Sequence, residues 1–119
     1  MSKEALERVK VFLLSPGVLI FLLTAVFVLN LFDAGVSWWL ISSGLAIELN
    51  PLMAALMSVS FYLFFAVKLI MGILMVKITL PRIKDMPVKI TIWLMFLVYG
   101  LLGLYNLYGL ILGILILAL

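Results

Sequence analysis

Three of the four prolines, in the steps Ser15-Pro16, Asn50-Pro51 and Met86-Pro87, each stand at the head of a long apolar run. Proline is at home in the first turn of a helix, where its missing N–H has no partner to lose, and a preceding Ser or Asn can cap that turn. Three such starts predict three long helices. The runs extend from about Gly17 to Ser43, Leu52 to Val76 and Val88 to Leu119. Each is at or above the ~20 residues that cross a ~30 Å hydrocarbon layer, and tilt or overhang takes up the excess. With 68% hydrophobic and 11% charged residues, against about a quarter charged in an average soluble domain, the chain cannot present a soluble surface. It reads as a membrane protein.

The expected fold is therefore all-α. A domain of residues 15–119 carries three transmembrane helices over about 16–43, 51–77 and 87–118, preceded by a short amphipathic interfacial helix within residues 1–14. In that first segment Lys3, Glu4, Glu7, Arg8 and Lys10 alternate with Ala5, Leu6, Val9, Val11, Phe12 and Leu13, and Glu4 and Arg8 have the i, i+4 spacing of a helical ion pair. A helix of this composition lies on a membrane surface. No small-residue cleavage site follows a short apolar core, so the first long run reads as a span and not as a removed signal.

Basic residues set the orientation. Lys3, Arg8 and Lys10 precede the first span, and Lys77, Arg82, Lys84 and Lys89 surround the link between the second and third, whereas Gly44 to Asn50 holds Glu48 and no Lys or Arg. Positive segments stay in the cytoplasm, which places the N-terminus inside and the C-terminus outside a cytoplasmic (inner) membrane. The net charge of +3 is scattered over segment ends and forms no stripe of the kind that binds nucleic acid. Cys and His are both absent, which removes disulfides, thiol nucleophiles, imidazole bases and zinc sites. No cofactor and no metal site is expected.

Asp33 and Lys68 lie inside apolar runs, where an ionised group costs roughly 2.5–3.5 kcal/mol on insertion scales and needs a partner or a task. Asn30, Asp33 and Ser37 fall at i, i+3 and i+7, on one helix face, with Trp38 and Trp39 nearer the outer boundary. On the second helix Ser58, Phe61, Phe65, Lys68 and Gly72 share a face. Counted from the expected helix ends, Asp33 lies about 15 Å and Lys68 about 25 Å below the outer surface. Side chains tilt toward their own helix N-terminus, so the two lean toward each other across that gap. Asn30, Asp33, Ser37 and Lys68 make up the expected intramembrane polar site. Glu48 and Asn50 form its outer mouth, with Asn50 capping the second helix and Glu48 favoured by the positive helix end.

On the third helix Tyr99, Gly103, Asn106, Gly109 and Gly113 recur at 4, 3, 3 and 4 spacing, and Gly109 to Gly113 is a small-xxx-small step that lets helices approach closely. Gly103, Asn106, Gly109 and Gly113 are thus assigned to helix association, within the protomer, in a homo-oligomer or with another membrane protein. Tyr99, Tyr105, Asn106 and Tyr108 can add polar lining.

The pattern Asn30-x-x-Asp33, a Ser37 and Trp-rich stretch, Gly44-x-x-x-Glu48-x-Asn50-Pro51-Leu52-Met53 and Lys68 in the next run resembles an uncharacterised family of small prokaryotic, largely archaeal, membrane proteins. The resemblance covers roughly residues 27–72. It implies a three-helix architecture and marks Asn30, Asp33, Glu48, Asn50 and Lys68 as motif positions, without supplying a mechanism. Ser37 departs from it, since threonine is commoner there.

Two functions fit these features. One is a polar intramembrane site at Asp33 and Lys68 for the binding or passage of an ion or small ligand, a cation or proton among them. The other is a structural or adaptor protein in which the Asp33–Lys68 pair only fixes helix packing. Enzyme activity is not expected. Ser58 and Ser60 lie ten and eight residues from Lys68, about 12–15 Å of helix rise, too far for a nucleophile and its base. No phosphate-binding glycine loop or nucleotide motif is present.

Overall fold

A computed structural model describes residues 2–119 and is helical throughout, with no strand among those residues. The helices are α1 (Lys3–Leu13), α2 (Pro16–Ser42), α3 (Pro51–Val59), α4 (Phe61–Thr79) and α5 (Met86–Ala118), with a 3₁₀ turn over Leu80–Arg82. Three segments, Pro16–Ser42, Phe61–Arg82 and Met86–Ala118, are long and apolar enough to cross a membrane. The chain is a multi-pass membrane protein by that measure.

Helix α1 starts at Ser2, whose hydroxyl accepts the Ala5 N–H at 3.1 Å, a cap of the usual kind. Every residue from Lys3 to Leu13 except Ala5 is exposed, and Glu4 and Arg8 do not pair, the Asp33–Lys68 bridge being the salt bridge found among the described residues. The far end of α1 is fixed to α5 by the Trp93 indole N–H, which donates to the Leu13 carbonyl at 2.9 Å.

Helix α2 ends on Gly44, whose φ of 73° is left-handed. The Gly44 N–H reaches the Ile41 carbonyl at 3.1 Å and the Leu45 N–H the Leu40 carbonyl at 2.9 Å. These two bonds are a Schellman closure, and they need a residue at home at positive φ. Gly44→Val is expected to cost about 1–2 kcal/mol, read as a lower midpoint in reversible unfolding in mixed micelles; an unchanged midpoint would show that the turn carries no strain.

The helix expected over 51–77 is divided. Ser60 has φ −165° and ψ 135°, so the ladder stops at Val59 and restarts at Phe61, with the Ser60 hydroxyl capping the Tyr62 N–H at 3.1 Å. The neighbouring Ser58 bonds back to the Ala55 carbonyl at 2.7 Å. Serine side chains compete with the helix ladder and favour caps, which is why the chain bends here without Gly or Pro. The second crossing accordingly starts at Phe61. Helix α3 folds back along α4 as a hairpin, with Met53 packed beside Phe64 of α4 and Ala34 of α2. The Trp38 ring meets Phe61 at the bend, centroids 4.5 Å apart.

Helices α2 and α5 run parallel and α4 runs antiparallel to both. At the α1 end, Leu19, Leu22 and Leu23 of α2 close around Ile92 of α5, with Met75 and Val76 of α4 against them. Further along, a methyl on Gly103 would stand 2.9 Å from Leu29, and one on Gly113 3.0–3.2 Å from Trp39, Leu40 and Leu45. The face assigned to association is therefore occupied by α2 of the same chain. Gly72 of α4 receives Phe27 of α2 in the same way, with 2.9 Å to two ring carbons.

Candidate functional site: a buried ion pair between two cavities

Midway along the bundle the polar residues of α2, α4 and α5 converge on Asp33. The Lys68 ammonium donates to Asp33 Oδ2 at 3.0 Å, the Asn106 amide donates to Oδ1 at 2.8 Å, and the Ser37 hydroxyl stands 3.5 Å from the same oxygen. The two charged side chains are 19% and 14% exposed, so the pair is largely withdrawn from the surroundings. Asn30, buried one turn below Asp33, gives its amide N–H to the Lys68 backbone carbonyl at 3.1 Å. The Lys68 ammonium also lies 5.9 Å from the centre of the Phe64 ring, within cation–π range.

The bend at Ser60 removes the depth gap expected from sequence. Lys68 lies seven residues into α4 and Asp33 nine residues before the end of α2, about 10 and 13 Å from their respective helix ends. The two charges are at nearly one level. Lysine extension to the cytoplasmic interface is not what this geometry shows.

Glu48 and Asn50 do not stand apart as an outer mouth. From Gly44 the chain runs without regular secondary structure to Asn50, which caps α3 by accepting the Leu52 and Met53 N–H groups at 3.0 and 3.4 Å. The Glu48 carboxylate accepts the Asn50 N–H at 3.1 Å. Both residues line the cavity that holds Asp33 and Lys68. Asn106, assigned by its spacing to helix association and also offered as polar lining, is a direct partner of Asp33, a role that the register of α2 against α5 gives it. Gly103, Gly109 and Gly113 pack against side chains of Leu29, Trp39, Leu40 and Leu45, and Gly109 and Gly113 also line the cavity that holds Asp33.

Two cavities meet at Lys68. The larger, of about 500 Å³, reaches from Leu45 and Ile116 at the end remote from α1 down to Asp33, Ser37, Lys68 and Asn106. The smaller, of about 330 Å³, lies on the other side of Lys68 among Val26, Asn30, Gly72, Met75 and Tyr99. Asn50, Met53 and Lys68 border both. Below the smaller cavity the Leu19, Leu22, Leu23 and Ile92 cluster closes the bundle. No group of three or more acidic residues able to hold a metal occurs among the described residues.

No curated protein and no solved structure matches the chain. A model for a family described as a domain of unknown function matches residues 24–112, a stretch that contains every residue of the Asp33 cluster. The chain belongs to that family, DUF5658.

Proposed function

We propose that the Asp33–Lys68–Asn106 cluster is an intramembrane site at which a small ion or ligand binds or passes. The observation that carries this reading is the position of Lys68, which with Asn50 and Met53 borders both cavities and so sets the ion pair at their junction. A pair needed only to hold two helices in register is replaceable by apolar side chains at no loss, because desolvation offsets most of its Coulomb gain. A pair at the junction of two cavities is useful in another way: exchange of either partner for an incoming ion joins the two spaces. Asp33 and Glu48 are the groups that attract a cation, or accept a proton, on the larger side.

The test is flux in proteoliposomes. Wild-type protein is expected to carry protons or monovalent cations above the leak of empty vesicles. Asp33→Asn is expected to lower that flux by roughly tenfold or more, the worth of one charge-assisted hydrogen bond of about 1.5–3 kcal/mol. Equal flux through an assembled Asp33→Asn protein beside an active wild type would reject passage at this site.

A second reading, an adaptor whose ion pair only fixes packing, is supported by the complete pairing of the cluster, in which no buried side-chain polar atom lacks a partner. Since α2 already fills the glycine face, such a protein would meet its partner, or a second copy of itself, elsewhere. In either reading we place α1 on the cytoplasmic surface with the C-terminus outside. Seven of the eight basic residues cluster at the α1 end of the bundle, as the charge bias of cytoplasmic loops requires.

A further inference from the structure

We infer that the larger cavity takes an organic cation, a protonated amine carried on an apolar body. The inference rests on the proposed ligand site at Asp33 and narrows it to a chemical class. Size is the first argument. A space of about 500 Å³ lies within the ~300–1,000 Å³ typical of small-molecule pockets, whereas one water occupies about 30 Å³ of liquid. The space has room for an organic body as well as for its charged group.

Charge is the second argument. The acidic and basic side chains that face the cavity are Asp33, Glu48 and Lys68, two carboxylates against one ammonium. One negative charge is left over. In a low-dielectric wall that excess attracts a monocation and repels an anion. The hydrogen bonds point the same way. Asp33 is engaged by Lys68 and Asn106, while Glu48 is bonded through one oxygen to the Asn50 N–H, and its second oxygen meets no donor among the described residues. Glu48 is thus the carboxylate open to a new ammonium.

The distribution of polarity is the third argument. Charged and amide groups gather at the deep end and along the Glu48–Asn50 side, and the remaining wall is mostly apolar, with Leu40, Leu112 and Ile116 and the rings of Tyr105 and Tyr108 on it. An ammonium at Glu48 with a hydrocarbon body along that wall satisfies both halves.

The test uses the full chain in phosphatidylcholine nanodiscs, which carry no primary amine, and calorimetric titration corrected for empty nanodiscs. The probes are n-hexylammonium, hexanoate, hexan-1-ol and potassium chloride. Hexylammonium is expected to bind saturably, Glu48→Gln to weaken it by about tenfold or more, and Leu112→Trp, which fills the space along the apolar wall, to abolish it. Circular dichroism checks that both variants stay helical, and either suffices if the other does not assemble. Hexanoate or hexan-1-ol binding as tightly as hexylammonium, or unchanged affinity in Glu48→Gln, would overturn the organic-cation assignment. Potassium binding alone, lost in Asp33→Asn, would overturn it while leaving the ion site standing. Saturable binding of none of the probes would overturn both.

Discussion

Asp33→Leu is expected to destabilise the bundle by about 3 kcal/mol, the lower end of the range for breaking a buried pair from one side. The low end applies because both charged side chains retain some exposure, 19% and 14%. Lys68 then stands beside the Phe64 ring with no carboxylate, and Asn106 loses the acceptor it reached at 2.8 Å. The double variant Asp33→Leu, Lys68→Met is expected to recover most of that loss, since it removes the uncompensated charge along with the pair. Reversible unfolding in mixed micelles, followed by tryptophan fluorescence, gives the cycle. A single variant as stable as wild type would show that Lys68 finds solvent or another partner; a double variant no better than the single would show that the two residues are not energetically coupled. The same cycle bears on function. If the double variant is stable and inactive in flux, the pair is kept for what passes it and not for the fold.

Gly72→Leu is the second large effect. A Cβ at Gly72 would stand 2.9 Å from two carbons of the Phe27 ring and 3.5 Å from the Asn30 amide nitrogen. A ring cannot fold away as a flexible chain end can, so α4 must shift from α2. Overpacking of this kind costs about 1–3 kcal/mol, more than the ~0.5–1 kcal/mol that leaving glycine returns to the helix. The shift also pulls on the Asn30 bond to the Lys68 carbonyl, so the effect reaches the ion pair. Gly35→Leu is the control, because nothing lies within 4 Å of a Cβ there, and it is expected to be no less stable than wild type, with up to the ~0.5–1 kcal/mol that leaving glycine returns. A loss confined to Gly72→Leu and relieved by Phe27→Ala places the cost at this contact; equal losses at both glycines would assign it to a general helix effect.

The sequence shows the first and third crossings because their starts are marked by chemistry local to the chain, whereas Pro51 heads the short α3 and the second crossing starts at Phe61. Pro16, Pro51 and Pro87 all stand in the first turn of a helix, and Gly44 ends one. The bend at Ser60 is marked too, but by a serine inside an apolar run, and serine is tolerated in membrane helices often enough that it does not by itself announce a cap. Missing that bend misplaced Lys68 in depth and left Glu48 and Asn50 at the surface. The face shared by Asn30, Asp33 and Ser37 is legible because helical spacing alone decides it. Asn106 is not, because its partner is set by the parallel register of α2 and α5, and that register is a property of glycine contacts summed along both helices.

The irregular run from Leu45 to Asn50 has a consequence for hydration. Among the described residues, the backbone N–H groups of Ala46, Ile47, Glu48 and Leu49 meet no acceptor in the protein. Backbone of this kind survives at membrane depth only where it is enclosed by protein or bordered by water, since each unsatisfied group in hydrocarbon costs several kcal/mol. Ile47 and Leu49 are 80% and 84% exposed, so this chain by itself does not enclose the run. The run is therefore stable in a bilayer only where water, or a further polypeptide, meets its free N–H groups.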